Sequence, residues 1–174
     1  MPGCFEIRPR VLADDRGHFV KVFHEDIFRE HGLATAYAEE YYSVSRRGVL
    51  RGLHFQTPPR EHTKLVYCAL GSVTDAVVDL RRGSPTFGEH LIFSLDAKLA
   101  TAILIPAGLA HGFLADSEEA IMVYKVTSVY APEHDSGIAW NSAGIPWRID
   151  HPIVSERDRR LTPLSRFETP FRFT

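Results

Sequence analysis

Residues 48–59 read GVLRGLHFQTPP, and the fold of this chain can be inferred outward from this stretch. Valine, leucine and phenylalanine are typical of a β-strand, and the paired prolines mark its end. Arg51 and His54 interrupt the apolar pattern. Side chains alternate between the two faces of a regular strand, so Arg51 and His54 would point in opposite directions. The two residues therefore serve different contacts, unless a local bulge turns one of them.

The composition is that of a globular protein, and we predict a single domain over residues 1–174. The chain is 44% hydrophobic, and its net charge of −2 offers no general attraction to nucleic acid. No apolar run approaches the ~20 residues of a membrane helix. The N-terminus MPGCFEIRPR lacks the apolar core of a signal peptide, so we expect a cytoplasmic protein. Cys4 and Cys68 lack the spacing of a metal site and are predicted to be buried free thiols in a reducing cytosol.

Short strands separated by turns follow one another along most of the chain. Turn residues recur about every ten positions, which predicts an all-β sandwich or barrel with a few short helices. The predicted strands include 16–23, 64–70, 73–80, 90–95, 101–108, 120–130 and 137–140. The turn Gly71-Ser72 predicts that 64–70 and 73–80 pair as a hairpin. Helices are expected at 24–32 and near 155–161.

Segment 120–130, AIMVYKVTSVY, carries two tyrosines on one predicted strand face. Alternation places together Met122, Tyr124, Val126, Ser128 and Tyr130. If that face lines a cavity, Tyr124 and Tyr130 bring hydroxyls into it. The alternative is that both are core aromatics with the hydroxyl at a wet rim. Later in the chain, Asp158 of SERD either supplies a carboxylate to a site or forms a helix capping box with Ser155.

Three histidines raise the question of a metal site: His54, His62 and His111. The spacing of PAGLAH, residues 106–111, resembles the second cupin motif. The first cupin motif requires a His-x-His pair, and Gln56 occupies the second position here. A carboxylate should follow soon afterwards, but Glu61 lies on a proline-rich turn. The spacing thus favours a cupin-like jelly-roll sandwich, and we predict no metal site.

Seven motifs in order resemble the dTDP-4-dehydrorhamnose 3,5-epimerase family: GVLRGLHFQTPP, KLV, VVDLRRGSPTFG, IPAGLAHGF, VYKVTSVYAPE, SGIAWN and SERD. Each motif is weak alone, but the match runs in order from about Asp15 to Asp158, most of the chain. The resemblance implies a metal-free cupin-like jelly roll without cofactors, usually a homodimer that exchanges N-terminal strands. It also implies epimerisation of a nucleotide-linked 4-keto-6-deoxy sugar at C3, C5 or both. Such sugars serve surface polysaccharides or glycosylated metabolites.

The resemblance further implies a role for each matching residue. His54 would be the base that takes a proton from carbon, with Asp158 orienting it and stabilising its cation. Tyr124 would be the acid, Tyr130 a second contact or a substitute, and Lys64 would stand near the C4 oxygen. The implied substrate contacts are Arg51 at the diphosphate, His111 beside the sugar, and Arg16, Phe19, Lys21, Glu39 and Gln56. If its strand is regular, Arg51 instead reaches a ligand held by the neighbouring subunit.

Several substrate-side positions depart from the family pattern. The family usually reads RGxFxExF and QxNxSxS; here Lys21 replaces the glutamate, while Glu39 and Tyr41 replace the glutamine and asparagine. His62 replaces a glutamine two positions before Lys64. Lys21 and Glu39 are either a swapped charge pair or an adaptation to another base or sugar. We therefore hypothesise a modified substrate: another 4-keto-6-deoxy hexose, a 4-keto heptose, or a GDP- or CDP-linked sugar.

Two other functions fit the same fold. One is a 3,4-ketoisomerase acting on similar nucleotide-linked ketosugars, and the other is a non-catalytic cupin that only binds a sugar nucleotide. The four residues His54, Lys64, Tyr124 and Asp158 favour epimerisation, because a binding module needs neither a base nor an acid.

Overall fold

Antiparallel strands build most of the molecule, described here from a computed structural model of residues 1–173. Within these residues twelve strands form two five-stranded sheets and one separate hairpin. The strands are β1 (Phe5–Ile7), β2 (Val11–Asp14), β3 (Gly17–Val20), β4 (Glu39–Arg46), β5 (Leu50–Gln56), β6 (Lys64–Leu70), β7 (Ser72–Asp79), β8 (His90–Asp96), β9 (Ala102–Ile105), β10 (Leu109–Ala115), β11 (Glu119–Val126) and β12 (Asp135–Gly137). The all-β prediction is confirmed.

The two large sheets pack against each other around an apolar core. The first sheet has the order β1-β9-β6-β11-β4, and the second has the order β12-β5-β10-β7-β8. Val66 and Met122 of the first sheet are fully buried against Val77 and Phe113 of the second. Strands β2 and β3 pair only with each other and form a hairpin outside both sheets.

The outer faces of both sheets are also covered. Short helix α1 (Glu25–Glu30) places Phe28 against Leu65 and Leu104 of the first sheet. On the second sheet, Phe171 of the aromatic C-terminal segment packs into a cluster with Leu80. That segment therefore packs on its own chain. Helix α2 (Glu156–Arg159) lies within the predicted segment 155–161, and a 3-10 turn (Leu164–Arg166) follows.

The predicted hairpin of 64–70 with 73–80 is wrong. Strand β6 lies in the first sheet and β7 in the second, so the chain crosses between the sheets at Gly71. Gly71 has φ of +75°, and a Cβ there would lie 2.1 Å from the carbonyl oxygen of Glu119. A tight turn between two apolar runs gives the same sequence signal whether it joins paired strands or two sheets.

Two predicted strand boundaries also need correction. Strand β11 ends at Val126, so Ser128 and Tyr130 lie on the loop that follows it and not on the strand face of Tyr124. Strand β12 covers Asp135–Gly137 instead of 137–140. No helix within residues 1–173 is long and apolar enough to cross a membrane. Cys4 and Cys68 are free thiols, and burial raises the pKa of Cys68 to about 11.

Candidate active site

A bulge in β5 resolves the direction of Arg51 and His54. His54 lies opposite His111 of β10 and Arg51 lies opposite Phe113, so three steps along β5 face two along β10. Gly52 sits inside this irregularity with φ of +137°, and a Cβ there would come within 2.5 Å of the Cα of Gly112. Only glycine fits such a close approach of two strands. The bulge turns both side chains to one cavity, so the bulge interpretation is confirmed and a regular strand is wrong.

This cavity has a volume of about 660 Å³, within the usual range for small-molecule sites. Strands β4, β5, β6, β10 and β11 and helix α2 contribute its walls. It brings together nine of the twelve residues predicted for the site: Glu39, Arg51, His54, Gln56, Lys64, His111, Tyr124, Tyr130 and Asp158. These residues come from positions up to 119 apart in the sequence, and the sandwich collects them at one end.

Half-buried His54 and buried Asp158 form a hydrogen-bonded pair. Oδ1 of Asp158 lies 2.7 Å from Nε2 of His54, and Oδ2 accepts the backbone N–H of Gly52 at 3.3 Å. Burial alone raises the pKa of Asp158, but the hydrogen bonds from His54, Gly52 and Ser155 outweigh it and lower the pKa below its usual value. The carboxylate is therefore ionised at neutral pH. In neutral His54, Nε2–H donates to Asp158 and the lone pair resides on Nδ1.

Of the two hydrogen bonds of a capping box, only the one accepted by the Ser155 side chain forms. Its Oγ accepts the backbone N–H of Asp158 at 3.0 Å, which caps the first turn of α2. The Asp158 carboxylate points to His54 instead of returning to the Ser155 backbone. The cap thus fixes the backbone position from which Asp158 reaches His54.

Lys64 is a buried cation within the cavity wall. Its Nζ donates to the backbone oxygen of His54 at 3.1 Å, and the side chain is almost fully enclosed. Burial lowers the pKa of Lys64 to about 8, while the negative charges of Asp135 and Asp75 oppose that shift. The ammonium form still dominates at pH 7. A buried ammonium group in this position can stabilise negative charge on a bound molecule.

Tyr124 is held between two other rings. Its ring stacks on Tyr41 at a centroid distance of 4.8 Å, and His111 approaches its edge at 6.0 Å. The side chain is 7% exposed, and burial raises the pKa of Tyr124 far above its usual value. Tyr124 therefore keeps its proton at neutral pH, the form that a proton donor needs.

Tyr130 lies at the rim of the same cavity. It is 57% exposed, and its hydroxyl donates to Asp135 at 3.2 Å. Asp135 also accepts a hydrogen bond from Arg157 at 2.7 Å. Tyr130 therefore occupies a wetter position than Tyr124. Neither Asp135 nor Arg157 was predicted from the sequence, because both lie in polar segments where charged side chains are common.

A second histidine–aspartate pair connects cavity-lining His111 to the protein interior. Nε2 of His111 is 2.7 Å from Oδ2 of Asp75, which is fully buried on β7. Burial raises the pKa of Asp75, and His111 opposes that shift. Sequence reasoning missed Asp75, although a carboxylate within the apolar run VTDAVVDL was a usable signal. The aspartate fixes the orientation of the His111 ring.

Glu39 and Gln56 are bound to the loop that carries Tyr130. The Glu39 carboxylate accepts the backbone N–H of Tyr130 at 2.7 Å. The Gln56 amide oxygen accepts the N–H of Ala131 at 2.6 Å, and its nitrogen donates to the Arg60 oxygen at 2.7 Å. Gln56 therefore holds this loop in place. Its assignment as a substrate contact stays a prediction.

Three predicted substrate contacts lie away from the cavity of their own chain: Arg16, Phe19 and Lys21. Arg16 and Phe19 belong to the β2–β3 hairpin and Lys21 follows it. Phe19 is 62% exposed, and Arg16 pairs with Asp14 of the same hairpin. Within residues 1–173 Lys21 forms no ion pair, so the proposed Lys21–Glu39 charge pair does not form inside one chain.

No three histidine, cysteine, aspartate or glutamate side chains in the described part of the chain are grouped as metal ligands. His54 and His111 each have an aspartate partner.

Known proteins resemble this chain over nearly its whole length. The family model for dTDP-4-dehydrorhamnose 3,5-epimerase matches residues 1–166. The dTDP-4-dehydrorhamnose 3,5-epimerase of Methanothermobacter thermautotrophicus is 44% identical over 169 residues, which cover 94% of this chain and 91% of the relative.

Two solved structures share the fold. The dTDP-6-deoxy-D-glucose-3,5-epimerase of Legionella pneumophila, in complex with dTDP-4-keto-L-rhamnose, superposes with a TM-score of 0.94 at 32% identity, over 100% of this chain and 95% of its own. A 3′-monoepimerase of Streptomyces bikiniensis, in complex with dTDP-quinovose, gives a TM-score of 0.89 at 35% identity, over 94% and 84% of the two chains. The chain therefore belongs to the dTDP-4-dehydrorhamnose 3,5-epimerase family, whose members are isomerases.

Proposed function

We propose that the protein epimerises a nucleotide-linked 4-keto-6-deoxy sugar through an enolate. The observation that carries the proposal is the His54–Asp158 pair at 2.7 Å, in one cavity with the buried cation Lys64 and the buried phenol Tyr124. A keto group at C4 acidifies the hydrogens on C3 and C5. Inversion of either carbon needs a base, an acid and a positive charge near the C4 oxygen.

The residues divide these tasks. The Nδ1 lone pair of His54 removes a proton from carbon, and the Asp158 carboxylate stabilises the resulting imidazolium. Negative charge develops on the C4 oxygen, and the Lys64 ammonium stabilises it. Tyr124 returns a proton to the opposite face of the carbon, which completes the inversion. Solvent then restores the protonation states of His54 and Tyr124.

Arg51 provides the positive charge for the diphosphate. Its guanidinium donates to Ser45 Oγ and to the Val44 backbone oxygen, each at 3.0 Å, and these bonds hold the fork at the cavity wall. A planar fork can still donate its remaining N–H groups to two phosphate oxygens. His111, fixed by Asp75, lies beside Tyr124 and so contacts the sugar.

The identity of the substrate depends on which residues line the cavity of this chain. The relatives named above act on or bind dTDP-linked sugars, and dTDP-linked ketosugars are therefore the first candidates. Glu39 and Tyr41 replace the glutamine and asparagine of the family pattern and both line the cavity. We propose that they adapt the site to a modified sugar or base. Equilibrium binding of dTDP, GDP and CDP tests this idea, and a clear dTDP preference would reject a changed base.

We further propose that the enzyme is a homodimer in which the β2–β3 hairpin enters the partner's site. The support is that the hairpin pairs only with itself and exposes Phe19 and Leu12. Arg16 and Lys21 would then bring two positive charges to the partner's nucleotide. Light scattering measures the mass in solution. A monomer that turns over substrate would refute this arrangement.

The reaction is tested with a 4-keto-6-deoxy sugar in deuterated water. Epimerisation places deuterium at C3, C5 or both, and NMR locates each label. The relatives include both a 3,5-epimerase and a 3′-monoepimerase, so both positions must be read. A 3,4-ketoisomerase gives a structural isomer instead, and a binding module gives no exchange.

A further inference from the structure

His62 is a polar cavity residue that the proposed mechanism does not use. It lies two residues before Lys64, at the start of β6, and lines the same cavity. The residue that follows it is fixed by two hydrogen bonds: the N–H of Thr63 donates to Thr127 Oγ1 at 3.0 Å, and the N–H of Thr127 donates to the Thr63 oxygen at 3.1 Å. The imidazole therefore has a defined place beside the buried cation.

One side of the His62 ring is held by the protein and the other is open. Gln56 Nε2 and Ser128 Oγ each lie 3.3 Å from Nδ1. The hydrogen bonds of the ring with Gln56 and Ser128 side chains both involve Nδ1, and Nε2 is not among the buried polar atoms that lack a partner. Nε2 is thus accessible from the cavity that the residue lines. A ring anchored at one nitrogen and accessible at the other is suited to contact a ligand.

The ring is uncharged in this position. Burial and the neighbouring Lys64 ammonium lower the pKa of His62 to about 3. A second cation beside Lys64 would repel it, whereas a neutral imidazole adds a hydrogen bond without that cost. Neutral imidazole offers one N–H donor or one lone pair at Nε2, and a sugar hydroxyl can pair with either.

We propose that Nε2 of His62 hydrogen-bonds an oxygen substituent of the sugar ring next to Lys64, and that His62 thereby helps to select the ketosugar. This inference rests on the proposed function. It assigns the sugar, and not the nucleotide, as the part of the substrate that His62 recognises. The replacement of the family's glutamine by His62 would therefore change a contact with the sugar.

Two amide variants separate the ligand contact from the internal contact. The short side chain of H62N places its amide near Nδ1, where it still meets Gln56 and Ser128, but it does not reach the position of Nε2. The longer side chain of H62Q reaches the position of Nε2. Both variants are measured as full chains, with the KM and kcat for dTDP-4-keto-6-deoxyglucose and the Kd for dTDP alone. A melting curve confirms that each variant is folded.

We expect H62N to raise KM by about fivefold to tenfold, the loss of one neutral hydrogen bond. H62Q should stay near the wild type, and the dTDP Kd should be unchanged in both. The reverse order, with H62Q impaired and H62N normal, would show that only the internal contacts of Nδ1 matter. An unchanged KM in both variants, or a parallel loss of dTDP affinity, would also overturn the assignment. Absence of turnover by the wild-type enzyme with this sugar and with GDP- and CDP-linked 4-keto sugars would contradict the proposed function itself.

Discussion

Oδ1 of Asp158 lies 2.7 Å from Nε2 of His54, across a sequence separation of 104 residues. The pair joins the first turn of α2 to the bulged strand β5. Ser155 fixes the backbone on one side and Gly52 donates to the same carboxylate on the other. The proposed base, His54, is thus attached to an ionised partner whose own position is fixed by two hydrogen bonds.

The variant D158N tests this attachment. Asparagine keeps the shape but removes the charge that stabilises the His54 imidazolium. We expect kcat to fall by about 10²- to 10⁴-fold, the usual contribution of an acid–base group, while KM changes little. Steady-state kinetics measures both constants. S155A is the control: it removes the cap of α2, costs about 1 kcal/mol of stability and should keep most of the activity. An unchanged kcat in D158N would argue against a specific role for the carboxylate.

The variant Y124F separates proton removal from proton return. Phenylalanine keeps the stack on Tyr41 but cannot deliver a proton. We expect epimerised product to form about 10²- to 10⁴-fold more slowly. Because His54 still removes the proton and solvent still returns one to the same face, deuterium should enter the starting ketosugar. Mass spectrometry of recovered substrate measures this exchange. If Y130F, and not Y124F, lost inversion, then the acid would be Tyr130.

The lowered pKa of Lys64 predicts that activity falls at alkaline pH. Burial lowers the pKa of Lys64 to about 8, so the ammonium is lost as the pH rises through that value. We expect kcat/KM to fall above pH 8, whereas K64R, whose guanidinium stays charged, should show no fall near this pH even if its activity is lower. A pH–rate profile for both proteins measures this. The same fall in K64R would assign the limit to another group.

The same lysine makes a prediction about stability. The folded state holds Lys64 with a lowered pKa, so folding disfavours the proton and the free energy of unfolding should rise between pH 8 and the ordinary lysine pKa of ~10.4. Below pH 8 the penalty for the buried cation is fully present. K64M should therefore be inactive yet at least as stable as the wild type at pH 7. Urea unfolding at pH 7 checks this, and a marked loss of stability would contradict it.

Arg51 should control nucleotide affinity. R51A removes the guanidinium at the cavity wall, and we expect the dTDP Kd to rise by about tenfold or more, because a charge-assisted bidentate contact is lost. Isothermal titration calorimetry measures the affinity. R47A is the matched control, since Arg47 pairs with exposed Glu118 outside the cavity. Equal effects of the two variants would mean that Arg51 acts only through the overall charge.

The sequence predicted the fold class and most of the cavity wall for identifiable reasons. Turn spacing and alternation indicated an all-β chain, and the ordered motifs placed His54, Lys64, Tyr124 and Asp158 in one site. Both faces of β7 are buried, so the alternation of its residues did not indicate which sheet it joins. The prediction that it pairs with β6 in a hairpin was therefore wrong. Asp75 escaped notice because its partner His111 lies 36 residues away, on a neighbouring strand.

The direction of Arg51 needed the structure. Alternation left two readings open, and only the register of β5 against β10 decides between them. Gly52 and Gly112 permit the bulge because a Cβ on either would collide with the other strand. Whether Arg16, Phe19 and Lys21 reach an active site depends on the presence of a second chain. A contact with a second chain leaves no local pattern in the sequence.

Deuterium incorporation into a nucleotide-linked 4-keto sugar, beginning with dTDP-4-keto-6-deoxyglucose, by the wild type and by H54N tests the proposed mechanism most directly. We expect label at C3, C5 or both with the wild-type enzyme, and only background exchange with H54N despite an unchanged dTDP Kd. Label at the wild-type rate in H54N would contradict the role of His54 as the base. No label with the wild-type enzyme from any dTDP-, GDP- or CDP-linked 4-keto sugar would contradict the epimerase mechanism as a whole.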